Sequence, residues 1–255
     1  MTIVVAIKCS DGVVISSDSM ITVNEFAQYT GQKIHLLPGP PMQLFAFAGN
    51  LAYAERFRAV ATFLASQLAN DEHKLKYATT VGGGLFNNLL STGLKPLEVE
   101  LETILAFVKD DMPEVCVFDL GSQPHYLDQD YYSVTLGSGS VAATPFLKFL
   151  TDTLLNGRQQ PTVAEGKLLG TWAVKYAIDT LAQGVGHPID IATIEKNESG
   201  GDWQLRELDR HSVEETLQAI QSASDALRTW RNELCAYTDG IEEIPQLPAN
   251  VIAQG

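Results

Sequence analysis

Residues 3 to 7 read Ile-Val-Val-Ala-Ile, an unbroken apolar run rich in β-branched side chains, and after Ser10-Asp11-Gly12 the run resumes as Val13-Val14-Ile15. Two such runs around an Asp-Gly turn predict a β-hairpin at the very start of the chain. A strand that is apolar on both faces needs cover on both. The hairpin therefore belongs inside a sandwich, with helices on one side and a second sheet or more helices on the other. Termini ordinarily fray into solvent. A chain that sends its third residue into a core draws attention to residue 2.

The pattern that follows fits an α+β domain. A polar stretch over 24–32 precedes a short strand at 33–37, a Pro-rich turn at 38–41 and an apolar strand over 43–48 that ends at Gly49. Apolar residues Leu51, Ala54, Phe57, Val60, Ala61, Leu64 and Leu68 recur at helical spacing. A second helix is expected near 79–90, weakened by Gly82-Gly83-Gly84. Strands are expected over 98–109, 114–120 and 131–136, helices over 141–155 and 163–183, and a hairpin from 189–194 and 203–207. Ser212 with Glu215 has the form of a capping box for a helix running to Cys235. Residues 236–255 read as a loose arm. The chain shows no repeat and no linker, so its 255 residues are expected to form one layered domain: a core over 2–208 with a C-terminal helix and extension over 209–255.

Composition narrows the function. Seventeen Lys and Arg against 31 Asp and Glu leave a net charge of −14. Such a chain, with no basic cluster, is a poor partner for a phosphate backbone or an anionic membrane. Cys9, Cys116 and Cys235 are odd in number and far apart, as suits reduced thiols, and the five histidines never fall three or four apart. No metal and no cofactor is expected. The start lacks a basic segment and a long apolar run, so neither a signal peptide nor a membrane span is expected, and the predicted location is cytoplasmic.

Two motifs compete for the chemistry. Gly137-Ser138-Gly139-Ser140-Val141-Ala142 has the form of a dinucleotide-binding turn, but no acidic residue ends a following strand and no strand-helix-strand unit surrounds it. The other is Thr2. Removal of Met1 would place a hydroxyl and a free α-amine on one residue, and an amine with an ordinary pKa near 8 is a suitable base for that hydroxyl. A nearby cation would steady the developing charge, and a carboxylate would orient the cation. Asp18 and Lys33 each border apolar strand residues, where ionisable groups are more often functional than on a surface.

The series Thr2-Ile3-Val4-Val5-Ala6-Ile7, Asp11-Gly12-Val13-Val14-Ile15-Ser16-Ser17-Asp18, Thr22, Lys33-Ile34 and Phe47-Ala48-Gly49 resembles the opening of a proteasome β-subunit. The likeness continues through Gly137-Ser138-Gly139 and Ile189-Asp190-Ile191-Ala192. Among such subunits the chain resembles the divergent bacterial homologues, first the betaproteobacterial proteasome homologue, then the Anbu and HslV-type proteins. The resemblance implies a four-layer αββα Ntn-hydrolase sandwich and a threonine endopeptidase in a self-compartmentalised homo-oligomeric ring, or two stacked rings. Peptides or unfolded protein would be its substrate, with room for an ATPase partner. By position, Thr2 matches the nucleophile and Asp18 and Lys33 the paired carboxylate and lysine. Gly49 matches the oxyanion-hole donor, and Ser138 the serine beside the amine. Ile21, Phe47 and Leu51 match positions lining the specificity pocket, implying an apolar preference. One departure stands out: the turn at 181–186 lacks the family's Asp, and the nearest carboxylates are Asp179 and Asp190. An inert structural ring and a non-peptidase amidohydrolase of the same fold are the alternatives.

Overall fold

A computed structural model describes residues 2–23, 27–37, 41–68, 74–93, 99–119, 123–155, 160–181, 184–197 and 201–237. The N-terminal runs form the expected hairpin, β1 (Val4–Cys9) and β2 (Gly12–Asp18), paired from Val4↔Ser17 to Cys9↔Gly12. Every residue of β2 is buried, as a strand covered on both faces must be. Next come β3 (Met20–Val23) and β4 (Ala27–Thr30), an antiparallel ribbon whose second strand lies in the polar stretch expected over 24–32. Ala27–Thr30 is too short and too polar to carry a strand signal of its own.

Strands β5 (Ile34–Leu37) and β6 (Gln43–Gly49) lead into helices α1 (Leu51–Leu68) and α2 (Lys74–Ser91). Helix α2 begins five residues ahead of the expected position and runs through the three glycines. At Gly84 the reason is packing: a Cβ there would lie 3.0 Å from Val60 Cγ1 and 3.1 Å from Leu64 Cδ1 on α1. Strands β7 (Leu101–Lys109), β8 (Met112–Phe118), β9 (Pro124–Tyr126) and β10 (Ser133–Leu136) follow, then α3 (Ser140–Leu154), α4 (Val163–Thr180), β11 (Ile189–Lys196), β12 (Trp203–Glu207) and α5 (Arg210–Tyr237).

Apart from the β3–β4 ribbon, the strands form two five-stranded sheets, ordered β10-β1-β2-β11-β12 and β5-β6-β7-β8-β9. All their described pairings are antiparallel. Val4, Ala6, Val13 and Ile15 of the first sheet share one apolar cluster with Ile34, Leu44, Ala46, Ile104 and Val117 of the second. The outer face of the second sheet buries Phe45, Phe47, Leu105, Phe107 and Phe118 against Ala54, Phe57, Ala61, Val81, Leu85 and Leu89 of α1 and α2. Burying each large side chain of this kind contributes about 1.5–3 kcal/mol. Helix α4 lies across β1 and β2, burying Leu169, Ala173, Val174 and Ala177, and packs beside α3. Its start carries a full capping box: Thr162 Oγ1 accepts from Glu165 N–H, and the Glu165 carboxylate accepts from Thr162 N–H.

Residues 2–208 belong to one compact unit and 209–255 to another. In the second, α5 starts two residues before Ser212, and Asp209 Oδ1 accepts the Ser212 N–H at 2.8 Å. The cap is thus Asp209, not the expected Ser212. Glu215 faces His211 one turn back instead of closing a box. Of the arm expected over 236–255, residues 236 and 237 continue α5, and 238–255 lie outside the described residues.

Candidate active site

The register of the first hairpin sets the site. With Val4 opposite Ser17, the last residue of β2 falls beside the residue preceding β1. Asp18 N–H donates to the Ile3 carbonyl (3.2 Å), and Ile3 N–H donates to Asp18 Oδ1 (2.9 Å). The same Oδ1 accepts from Lys33 Nζ at 2.6 Å. Asp18 Oδ2 accepts from the N–H groups of Met20 (3.1 Å) and Gly186 (3.2 Å). Both charged side chains are sealed from solvent, Lys33 at 1% and Asp18 at 0% exposure. Burial pulls the Lys33 ammonium below its ordinary pKa, against the opposing attraction of Asp18 and, more weakly, of Asp190.

Thr2 is clamped from the other side by the turn between β10 and α3. Gly139 N–H donates to the Thr2 carbonyl (2.9 Å), and Thr2 N–H donates to Ser138 Oγ (3.3 Å). Gly137 has φ +84°, and a Cβ on it would stand 2.4 Å from the Thr2 carbonyl oxygen and 3.1 Å from Ala48 Cβ. Glu102 Oε2 accepts the Gly137 N–H at 3.0 Å. The amides of this glycine motif are therefore spent on Thr2 and Glu102, which removes the dinucleotide reading. The turn also brings the end of β6 alongside Thr2. Gly49, with φ +116°, closes β6, and a Cβ built on it would stand 2.1 Å from the Glu100 carbonyl oxygen.

Ser138, Thr2, Asp18 and Lys33 thus form one hydrogen-bonded row through Ile3, with Gly49 one residue from the Ala48 contact. The expected pocket residues are more dispersed. Phe47 is 3% exposed and stacks with His35 and Phe45, and Leu51 is partly buried against the same cluster under α1. Ile21 lies on β3 and fills the space over Gly31, with Cδ1 2.3 Å from a Cβ built there.

Of the two carboxylates near the 181–186 turn, Asp179 pairs with Lys175 one turn back on α4, at 2.5 Å. Asp190 is the one that reaches the site: its Oδ2 accepts from Ser19 Oγ at 2.5 Å. Sequence reasoning missed Ser19, Gly186 and Glu102. Ser19 follows Asp18 directly, but a lone serine carries no signal. Gly186 acts through its backbone, which no residue type advertises. Cys9 and Cys116 are buried free thiols, pushed up in pKa by burial, and are core groups.

Two facing antiparallel sheets between helices, with residue 2 delivered to a buried Asp–Lys pair, define a proteasome-type α+β fold. The chain belongs to the proteasome subunit family, whose model matches residues 2–194. No curated protein matches the chain. Among solved structures it is similar to an Anbu (Gly-1) mutant from Hyphomicrobium sp. strain MC1, at TM-score 0.71 and 18% identity over 96% of this chain and 100% of that one. It is also similar to Anbu from Yersinia bercovieri, at TM-score 0.67 and 16% identity over 95% and 99%. A third similar structure is the helical assembly of the Anbu complex from Pseudomonas aeruginosa, at TM-score 0.64 and 17% identity over 97% and 98%. The expected likeness to the divergent bacterial proteasome homologues thus holds, with Anbu, placed second on sequence, among the structural neighbours. Among the described residues no helix is long and apolar enough to cross a membrane.

Proposed function

We propose that the chain is a threonine-type N-terminal nucleophile peptidase acting within a homo-oligomeric ring. The observation that carries this is the row from Ser138 through Thr2 to the buried Asp18–Lys33 pair. Cleavage between Met1 and Thr2 frees the amine. That amine takes the Thr2 Oγ proton as Oγ attacks the peptide carbonyl, while Lys33 steadies the negative charge that develops and Asp18 holds Lys33. The Gly49 N–H donates to the oxyanion. The proton passes to the leaving amine, and water then hydrolyses the acyl-enzyme, returning the Thr2 hydroxyl. Ser138 holds the amine in place.

We read the layers as an αββα sandwich over 2–208 in a single proteasome-like domain, with α5 and 238–255 as additions. The outer helices support assembly. Phe149 and Val141 on α3 and Tyr176 on α4 are exposed, and Phe146 stacks on Tyr176 at 4.0 Å, an aromatic surface suited to a second copy. One structural neighbour is a helical assembly, so an open helix is the alternative to a closed ring. Ile21, Phe47 and Leu51 set the substrate preference in this reading, and the location is cytoplasmic.

Three measurements test the proposal together: intact mass for loss of Met1, light scattering for assembly, and covalent labelling by a peptide epoxyketone, which requires both hydroxyl and amine. Wild-type protein is expected to lose Met1, assemble and be labelled, and Thr2→Ala to abolish labelling. Processed, assembled protein that is never labelled would instead be the inert ring, a reading favoured by the 181–186 turn, which carries no Asp and offers the Gly186 N–H to Asp18.

A further inference from the structure

The Asp18 carboxylate is saturated. A carboxylate offers about four lone-pair positions, and those of Asp18 are taken by Ile3 N–H, Lys33 Nζ, Met20 N–H and Gly186 N–H. Lys33 is not. An ammonium carries about three donors, and among the described residues Asp18 is its one hydrogen-bond acceptor. A buried cation so thinly supported needs further negative charge nearby to remain charged.

The fold supplies a second carboxylate. Asp190 pairs across the sheet with Ser17, and Ser17 with Val4, so Asp190 shares the face of its sheet that looks toward the other sheet. Ser17 Oγ, fully buried, has no partner among the described residues. Asp190 is tethered by Ser19 Oγ. Ser19 is in turn fixed on three sides: its N–H donates to the Pro188 carbonyl (3.0 Å) and lies 3.3 Å from that of Gly186, and its own carbonyl accepts from Gly31 N–H (2.8 Å). Gly31 lies two residues before Lys33. One serine therefore links Asp190, the turn that donates to Asp18, and the segment carrying Lys33.

On the reading of the site given above, we propose that Asp190, held by Ser19, is a positioning residue: the second negative charge that keeps the Lys33 ammonium charged and in place beside Thr2. Among the described residues, the charged side chains that favour the Lys33 ammonium are Asp18 from β2, hydrogen-bonded to it, and more weakly Asp190 from β11. The freed Thr2 amine also bears on it after processing.

Asp190→Asn removes the charge and keeps an oxygen for Ser19, whereas Ser19→Ala keeps the charge and removes the tether. Urea unfolding of wild type, Asp190→Asn, Lys33→Met and the double variant needs no activity. The expected result is a lowered midpoint for Asp190→Asn when Lys33 is present and none when Met replaces it. An equal shift in both backgrounds overturns the proposal. In epoxyketone labelling, Asp190→Asn is expected to slow the rate about tenfold near neutral pH, equivalent to about 1.4 kcal/mol, and to move the alkaline limb of the pH profile to lower pH. Ser19→Ala should slow labelling with a smaller displacement, and Asp190→Glu should keep the wild-type limb. A slower rate with an unmoved limb, or a Glu variant that shifts as Asn does, refutes the electrostatic role. Unlabelled wild-type protein would sink the nucleophile reading, while the urea cycle would still decide whether Asp190 acts on Lys33.

Discussion

Cutting the buried pair from its two ends should have unequal consequences. Asp18→Asn removes the negative charge and leaves an amide NH₂ where a carboxylate oxygen accepted from the Met20 and Gly186 N–H groups. Lys33, at 1% exposure, then loses its hydrogen-bonded counter-ion. An uncompensated buried charge of this kind costs about 3–5 kcal/mol. For a chain of this size that corresponds to a fall of about 6–20 °C in melting temperature. Lys33→Met removes the ammonium, whose own burial is unfavourable, and leaves Asp18 with three backbone donors. A carboxylate so held remains well solvated by the fold, and the loss should be nearer about 1–2 kcal/mol. Thermal and urea unfolding followed by far-UV circular dichroism, on samples of matched assembly state, measure both. If Lys33→Met destabilises as much as Asp18→Asn, the carboxylate is not the hub of this site.

Gly137→Ala forces a Cβ to within 2.4 Å of the Thr2 carbonyl oxygen at a φ of +84°; both stability and epoxyketone labelling should fall, whereas the same change at open Gly83 should cost neither. Thr162→Ala breaks the α4 capping box and should cost about 1 kcal/mol, or roughly 2–4 °C by differential scanning fluorimetry. Because burial lowers the Lys33 pKa in the folded state from its ordinary 10.5, the unfolded chain holds the proton more tightly. Stability at this site should therefore rise as pH climbs from the lowered value toward 10.5, read as a urea midpoint that gains on that of Lys33→Met. Phe149→Glu with Tyr176→Glu on the exposed aromatic surface should lower the mass found by light scattering without changing the far-UV spectrum.

The parts of this molecule that could be read from its sequence are those where a side chain announces its own environment. Val4 to Ile7 and Val13 to Ile15 have no polar face to offer water, so their place inside a sandwich followed from composition alone, and so did the interest of Asp18 and Lys33 at the margins of apolar strands. The β4 strand and the Asp209 cap escaped because each depends on a partner: Ala27–Thr30 becomes a strand by pairing with β3, and Asp209 becomes the cap once α5 starts two residues early. The same division runs through the site. Thr2, Asp18 and Lys33 stand out by residue type and place, and Ser138 by its match to the proteasome-subunit pattern, but the groups that hold them act through the backbone of Gly186 and Gly139 or through a serine whose meaning lies in what it bridges. Asp190 shows where the boundary falls. Its type and its place at the head of an apolar strand match the signal carried by Asp18, but its link to the segment that carries Lys33 runs through Ser19, which no sequence pattern marks. Charged residues that begin or end apolar strands are accordingly best weighed by the tether that fixes them, because a fixed charge can hold a buried cation and a free one would turn to solvent.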